Sequence, residues 1–406
     1  MVSRYRKGPT VCEPGRMRDP REAKAAAAGG AGPDAIAAAE VALDEVAAGL
    51  GGQPVTLAVV FLGADYATHA DDVRAAVARR LHPGVLVGVT AQGVVAGGAE
   101  IESGASVSIW AAALPDATCV PLRYSPPAER DEPAAGWPEP PPGTEVLLTF
   151  ADPFTFPVDA FVAWARHVAP GLPVSGGMAS GSMQPGGNRL LLDAEVHAEG
   201  AVGVALGGVD VQPLVSQGCR PVGPSYVITA AERNVIAELG GRRATERLQE
   251  IYAEATQADR ERMEAGLHIG IVVDEYADEH DTGDFLVRNL LGADSERGAV
   301  AVGELVQVGQ TVRFQVRDAQ SADEDLRRLL ATRLRGSRVD AALLFTCNGR
   351  GSRLFGEPDH DAGLVHEALE GAPLAGFFAA GELGPVGGRS ALHGFTVSVL
   401  TVSAEG

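Results

Sequence analysis

Apolar runs and glycine-rich turns alternate along this chain in an order that occurs three times. In each copy an apolar strand, a helix and a second apolar strand lead into glycines and then into further strand-like runs. Repetition of this kind is typical of one structural unit used several times. The pattern therefore predicts repeated β-α-β-β units at 55–125, 144–217 and 340–402.

The second strand of each copy carries the clearest signature. It reads VLVGVTAQGVVAGG from Val85, PVSGGMASGSMQPGG from Pro173 and PLAGFFAAGELGPVGG from Pro373. In every copy two glycines lie five residues apart, and a glycine pair follows at 97–98, 186–187 and 387–388. Because glycine lacks a Cβ atom, these positions permit close approach of the backbone to another chain segment or to a ligand.

Residues 218–340 interrupt this series with a different pattern. It predicts helices at 230–239, 244–265 and 321–335 and strands at 267–273, 284–290, 299–306 and 311–317. Strands with antiparallel returns beneath covering helices indicate an α+β fold of layered mixed sheets rather than one purely parallel sheet.

The length of 406 residues exceeds what one hydrophobic core usually serves, so we expect two domains. The change of pattern places the boundary after residue 217, which gives an N-terminal domain at 33–217 and a C-terminal domain at 218–406. Residues 1–32 are charged and then rich in alanine and glycine without periodicity, which predicts a disordered tail.

Composition and charge exclude several classes of protein. A formal net charge of −20 repels phosphate backbones and argues against nucleic-acid binding. No run approaches the roughly 20 apolar residues of a membrane helix, and the charged first residues lead into no apolar signal segment. The four cysteines are far apart and form no CxxC pair. We therefore expect a cytoplasmic protein with no nucleic-acid or membrane partner, no cofactor and no metal.

The third copy holds the strongest candidate site. Its first strand ends in FTCNGRG (345–351), and a charged glycine turn follows the next strand. Neighbouring parallel strands release their loops at the same sheet edge, where open α/β sheets commonly bind ligands. We therefore expect a site formed by Cys347, Asn348, Gly349, Arg350, Gly381 and Glu382.

Two charged residues define the ligand chemistry of this hypothesis. Arg350 suits a two-point hydrogen bond to a carboxylate, and Glu382 suits an ammonium group. Together they favour a zwitterion such as an amino acid. The alternative is that Arg350 and Glu382 pair with each other and bind no ligand. Arg288 and Arg220 are further ligand-binding candidates, with Arg220 at the expected cleft between the domains.

Catalysis and metal binding have weaker signals. Cys347 is a candidate nucleophile with His393 or His360 as its base, although a cysteine that closes an apolar strand is more often a packed small residue. His393 is otherwise a structural hydrogen-bonding residue at the edge of the ligand site. The acidic run 274–284 does not follow the ligand order of an EF-hand, which favours a solvated loop. GxxxxGK[ST], GxSxG and HExxH do not occur, which disfavours an enzyme.

Several segments resemble a known family. The resemblance to the C-terminal FIST domain rests on GCRPVGPSYVIT (218–229), DEYADEHDTGDFLVRNLLGAD (274–294), GQTVRFQVRDAQSADEDL (309–326), FTCNGRG and PLAGFFAAGELGPVGG. The resemblance to the N-terminal FIST domain rests on VTLAVVFLGADYATHADDV and VLVGVTAQGVVAGGAEI.

The resemblance implies a stand-alone bacterial sensory module in signal transduction. Such a module binds a small ligand, with amino acids as the proposed class, and acts on a signalling protein partner. In eukaryotic relatives the module accompanies an F-box, so the alternative is a protein-interaction scaffold without a small ligand. A cysteine-dependent enzyme is the third hypothesis.

Overall fold

The computed structural model describes residues 23–126, 136–273, 275 and 285–404. The first repeated unit and its flanking strand comprise β1 (Lys24–Ala31), α1 (Ala35–Leu50), β2 (Leu57–Gly63), a 3-10 helix (Ala64–His69), α2 (Ala70–Leu81), β3 (Val85–Ala91), β4 (Val94–Ala96), β5 (Ala99–Ile101) and β6 (Ser106–Ala113). Strand β1 lies inside the segment 1–32 that was expected to be disordered. It pairs with β6 over its whole length, and this pairing satisfies its backbone groups.

The second unit repeats this order. It comprises β7 (Thr118–Tyr124), β8 (Val146–Ala151), α3 (Val158–Val168), β9 (Val174–Met178), β10 (Leu190–Leu192), β11 (Glu195–His197) and β12 (Ala201–Gly207). Strands β8 and β9 are parallel, as are β2 and β3, because a helix connects each pair.

A barrel follows the second unit. The segment comprises β13 (Asp210–Ser216), β14 (Cys219–Pro221), β15 (Tyr226–Glu232), β16 (Val235–Leu239), β17 (Arg242–Arg243), α4 (Ala244–Glu254), α5 (Gln257–Ala265), β18 (Leu267–Val272), β19 (Phe285–Asp294), β20 (Ala299–Val302), β21 (Thr311–Arg317) and α6 (Ala319–Arg333). Strands β21, β15, β16, β20, β19 and β18 pair in that order, and the pairing of β18 with β21 closes the ring. The barrel has its own apolar interior.

Two helix predictions in this segment are wrong. Residues 230–239 form the hairpin β15–β16, whose turn places Arg233 at φ +55° and whose buried side chains enter the barrel. The expected single helix at 244–265 is two helices. The second begins where the Thr256 side chain accepts a hydrogen bond from the Asp259 amide at 3.2 Å.

The third unit closes the chain. It comprises β22 (Ala341–Cys347), α7 (Ser352–Phe355), α8 (His360–Ala368), β23 (Leu374–Ala379), β24 (Glu382–Val386), β25 (Arg389–His393) and β26 (Val397–Ser403). Strands β22 and β23 are parallel, and β26 pairs antiparallel to β22. The predicted α+β fold of layered mixed sheets built from repeated units is confirmed.

The three units exchange hairpins in a circle. Their sheets have the orders β1-β6-β2-β3-β10-β11, β7-β12-β8-β9-β24-β25 and β13-β26-β22-β23-β4-β5. The hairpin of the second unit therefore completes the first sheet, that of the third unit completes the second, and that of the first unit completes the third. Each unit depends on another to cover the edge of its second strand, which otherwise exposes unpaired backbone groups.

The repeated glycines serve this architecture. A Cβ atom at Gly176 would lie 2.0 Å from the backbone oxygen of Thr149, the residue opposite it on the parallel strand. Gly88 and Gly376 make the same close approach, at 2.4 and 1.9 Å. The copies differ at the closing pair: residues 97–98 and 387–388 form hairpin turns, whereas the second hairpin turns at Asp193, which has φ +48°.

An aromatic cluster joins the three sheets. Phe61, Phe150 and Phe345 come from the first strand of each unit, with ring centroids 5.6 to 6.5 Å apart. Phe377 lies 5.3 Å from Phe61 and 5.7 Å from each of the other two rings. All four side chains are fully buried in one apolar core, so the units share a single interior.

We predict that Phe377→Ala lowers the free energy of unfolding by about 3–5 kcal/mol, because it leaves a cavity where all three sheets meet. Urea denaturation measures the loss. Phe154→Ala is the control, because Phe154 is 43% exposed, and it should cost about 1 kcal/mol or less. Equal losses for the two variants would contradict the shared core.

Candidate functional site

The outer face of the barrel is buried against the third unit although it is polar. On β21 the side chains of Val312, Phe314 and Val316 enter the barrel interior, so the alternating positions 313, 315 and 317 point outward. Gln315 is only 1% exposed, and His268, opposite it on β18, is 5% exposed. We call the contact region of His268, Gln315, Arg317, Cys347, Glu382 and Phe395 the junction.

Phe395 bridges the barrel and the third unit. Its ring centroid lies 4.4 Å from that of His268, and the Arg317 guanidinium carbon lies 4.6 Å from it. Phe395 has φ +64°, a left-handed conformation that is strained for a residue with a Cβ atom. The first two units place glycine at the corresponding entry to their last strand, Gly104 and Gly200. Backbone strain of this kind is concentrated at functional sites. At this position the third unit therefore has a feature of a functional site that the first two units lack.

Arg350 is fully buried and holds Asp361. Its Nε donates to Asp361 Oδ2 at 2.7 Å and Nη2 donates to Oδ1 at 2.9 Å, while Nη1 donates to the Phe395 carbonyl at 3.2 Å. The Asp361 carboxylate outweighs the effect of burial and raises the pKa of Arg350, and the pKa of Asp361 is lowered in return. The charged partner of Arg350 is therefore not Glu382, as the alternative expected, but a carboxylate on α8.

A hairpin of the first unit braces this ion pair. Glu100 on β5 accepts a hydrogen bond from the Ala362 amide at 3.0 Å, and its own amide donates to Asp359 at 2.6 Å. These contacts fix the start of α8 next to Asp361. Burial, followed by the charge of Asp361, raises the pKa of Glu100 to about 7. The hairpin that the first unit contributes to the third sheet therefore also stabilises the ion pair beside the junction.

Glu382 lies at the base of the junction with no exposed surface. Its Oε2 accepts hydrogen bonds from the Thr396 amide at 3.2 Å and the Thr396 hydroxyl at 2.7 Å. Among the described residues, Oε1 has no hydrogen-bond partner of normal geometry. Burial raises the pKa of Glu382 to about 8, so the carboxyl group is mainly protonated and uncharged at pH 7.

Cys347 lies between Glu382 and the loop of Arg350. The Gly349 amide donates to its sulfur at 3.5 Å. Burial, together with the nearby Glu382, raises the pKa of Cys347 to about 12, which disfavours the thiolate. The hydrogen bonds described for His360 go to Asp361 and Asp323, and that of His393 goes to a backbone carbonyl. This arrangement gives a cysteine nucleophile neither a charged sulfur nor an assigned base.

Several buried polar atoms of the junction have no hydrogen-bond partner among the residues that the structure describes. They are Gln315 Oε1 and Nε2, Arg317 Nε and Glu382 Oε1, and the two ring nitrogens of His268 lack a partner of normal geometry although the Asn289 side chain lies close to this ring. More than nine in ten buried polar groups in proteins are paired, so a concentration of unpaired ones indicates a place for a polar ligand or water. Gly394, half-buried beside Phe395, borders open space.

The other residues of the expected third-copy site are structural in this geometry. The amide of Asn348 donates to the Ala379 carbonyl at 2.8 Å, and the carbonyl of Gly349 accepts a hydrogen bond from Arg317. The Gly381 carbonyl accepts the Met178 amide at 2.8 Å and so joins the third unit to the second sheet. Gly349 is the member of this group with a described hydrogen bond to the barrel.

The remaining candidates lie beside the junction rather than in it. Arg288 pairs with Glu304 at 2.9 Å and donates to the Leu392 carbonyl at 2.8 Å. Burial of His393, together with the positive charge of Arg288, lowers the pKa of His393 to about 4. Arg220 is held by Asp259 and Asp318 near α5 and α6. The acidic run falls mostly outside the described residues.

Comparison with known proteins agrees with the architecture. The FIST N domain profile matches residues 56–242, and the FIST C domain profile matches residues 244–385. An uncharacterized protein of Mycobacterium bovis is 44% identical over 373 residues, covering 90% of this chain and 95% of that protein. An uncharacterized protein of Mycobacterium tuberculosis strain H37Rv is also 44% identical over 373 residues, covering 90% of this chain and 96% of its own length.

The fold and the junction define a two-domain α+β protein with a buried polar region where its barrel meets its third unit. The chain belongs to the FIST family, with a FIST N domain followed by a FIST C domain. FIST domains are generally associated with sensing in signal transduction. No helix within the described ranges is long and apolar enough to cross a membrane.

The two buried carboxyl groups predict how stability depends on pH. The folded-state pKa values of Glu382 and Glu100 lie above the ordinary 4.5, at about 8 and about 7. Folding therefore favours their protonated forms, and their contribution is lost as pH rises through these values. We expect the free energy of unfolding to fall between pH 5 and pH 8, most steeply in the middle of this range, where each group contributes on the order of 1 kcal/mol per pH unit.

Urea denaturation at pH 5, 6.5 and 8 measures this dependence. Glu382→Gln keeps the shape of the side chain and should flatten the fall, because the amide does not ionise. Glu367→Gln, on an exposed position of α8, is the control and should retain the wild-type slope. A Glu382→Gln profile parallel to the wild type would show that Glu382 does not titrate as described.

Proposed function

We propose that this protein is a cytoplasmic small-ligand sensor in signal transduction, and that its ligand binds at the junction. The observation that carries the proposal is the set of buried polar atoms on Gln315 and Glu382 that find no hydrogen-bond partner among the residues the structure describes, beside the buried ring of His268. Leaving a buried donor or acceptor unpaired costs about 1–3 kcal/mol, so a ligand that pairs with several of them gains binding energy. The family's association with sensing supports the same assignment.

A ligand at the junction contacts two parts of the chain at once. Arg317 ends β21 on the barrel side, and the next residue, Asp318, caps α6 by accepting a hydrogen bond from the Ser321 amide at 3.2 Å. Further along α6, Asp325 accepts a hydrogen bond from the Ser216 hydroxyl at 2.7 Å. Ligand-dependent changes in how the barrel sits on the third unit therefore reach α6. This helix is our candidate for the output surface.

The ligand class that we favour is a small metabolite with a carboxylate. Arg317 takes the role first given to Arg350, because Arg350 is already neutralised by Asp361. Amino acids and related zwitterions belong to this class, with Glu382 as the nearest carboxyl group for an amine. The class follows the ligand type proposed for the family and is the first to test.

Thermal denaturation of the full chain with amino acids and small carboxylates tests the function. At about 100 times its dissociation constant, a ligand adds roughly 2.7 kcal/mol of stability, which raises the melting temperature by several degrees. Gln315→Leu removes an unpaired buried amide, so the free variant should be at least as stable as wild type yet lose the ligand-induced shift.

Gln257→Leu, at an exposed position on α5, is the matched control and should keep the full shift. Failure of every compound to raise the melting temperature would reject the sensor assignment for this class. A full ligand-induced shift of the melting temperature in Gln315→Leu would instead show that the ligand binds outside the junction.

Exposed apolar side chains on the barrel favour a second candidate function, a protein-interaction scaffold. Leu291, Leu305 and Val308 are 62%, 66% and 62% exposed. Exposed apolar groups close together mark interaction surfaces in many proteins. Leu305→Lys with Val308→Lys should weaken binding of a stoichiometric partner while leaving any ligand-induced shift unchanged. Unchanged partner binding would remove this surface from consideration.

A further inference from the structure

Arg317 is a cation without a counter-ion among the described residues. Its guanidinium donates to the Gly349 carbonyl and lies over the Phe395 ring, and both of these partners are uncharged. Its Nε is buried without a partner. Arg317 as a whole is half-buried, and a cation that is partly removed from water is stabilised by pairing with an anion. The unpaired Nε therefore indicates an anionic group as its ligand, even though the chain carries a formal net charge of −20.

The surrounding groups offer no second charge to a ligand. The other nearby cation, Arg350, is saturated by both oxygens of Asp361. Gln315 presents an uncharged amide, which supplies both a donor NH2 group and an acceptor oxygen. Burial, with Arg317 as a second cause, lowers the pKa of His268 to about 4, so its imidazole is neutral at pH 7. Glu382 is also uncharged at that pH because of its raised pKa.

The unpaired groups have a defined arrangement. Gln315 and His268 are opposite each other in the β18–β21 pairing, and Arg317 lies two residues from Gln315 on the same outward face. Two residues along a strand span about 7 Å, and the long side chains of Arg317 and Gln315 are able to converge on one small ligand across this distance. A single ligand is therefore able to contact Arg317 with one end and the Gln315–His268 pair with the other.

We propose that the junction binds a monocarboxylate whose carboxylate pairs with Arg317 and whose other end is an uncharged hydrogen-bonding group. A hydroxyl or carboxamide suits Gln315 and His268, whereas an ammonium group finds no charged partner. This inference rests on the proposed sensor function and narrows its ligand class. An amino acid is consequently a poorer ligand than the hydroxy acid with the same skeleton.

Isothermal titration at pH 7 with matched pairs tests the inference on the full chain. The pairs are lactate with alanine and phenyllactate with phenylalanine, and lactamide and inorganic phosphate complete the set. We expect at least one hydroxy acid to bind ten-fold or more tightly than its amino acid, and lactamide to show no binding. Arg317→Lys should weaken the binding of that hydroxy acid by ten-fold or more, because the variant loses the Nε donor.

Arg313→Lys, on the same strand and the same face, is the control and should bind as wild type, because Arg313 is engaged with the Gly223 carbonyl. Circular dichroism verifies folding. Where Arg317→Lys does not fold, Gln315→Glu replaces it, since the added carboxylate should repel the ligand and also abolish binding. Unchanged binding in folded Arg317→Lys would overturn the role of Arg317, and unchanged binding in Gln315→Glu would overturn the placement of the ligand at the junction.

The outcomes separate the inference from the function on which it rests. If an amino acid binds as tightly as its hydroxy acid and Gln315→Leu abolishes that binding, the proposal of an uncharged ligand end is overturned. The proposed sensor function is retained in that case. If inorganic phosphate binds and none of the carboxylates does, the assignment of a carboxylate ligand is overturned. No binding or thermal shift by any compound in either set overturns both the inference and the sensor assignment.

Discussion

The packing of Phe377 against three equivalent phenylalanines is the contact on which the molecule depends. Phe61, Phe150 and Phe345 each come from the first strand of a unit, and Phe377 touches all three rings. Because each sheet is completed by a hairpin from another unit, this core and the exchanged hairpins form one cooperative structure. No unit buries its own edge alone, which explains why the repeats occur within one chain.

The third unit departs from this symmetry where the barrel meets it. At the entry to the last strand the first two units use glycine in the left-handed conformation, whereas the third uses Phe395. The Phe395 ring packs against His268 and Arg317 of the barrel, and its carbonyl accepts a hydrogen bond from Arg350. One strained residue thus links the inserted barrel to a buried ion pair, and the unpaired polar groups lie around it.

The repeats and the α+β class follow from sequence, because strand–helix–strand order and glycine spacing are local patterns. The residues of the junction do not. His268 and Gln315 alternate with apolar neighbours, so sequence places them on a solvent face, and only the docking of the barrel buries them. Sequence predicts Arg350 as a ligand-binding residue, but its partner Asp361 lies on a separate helix, and no spacing rule connects the two.

Hydrogen–deuterium exchange on the full chain, with and without a compound that raises its melting temperature, tests the central claim most directly. Ligand binding at the junction should slow exchange in residues 267–272, 311–317 and 394–397. The pocket around Arg123 lies elsewhere on the molecule and should exchange as before. Protection confined to that pocket, with the junction unchanged, would contradict the assignment of the site.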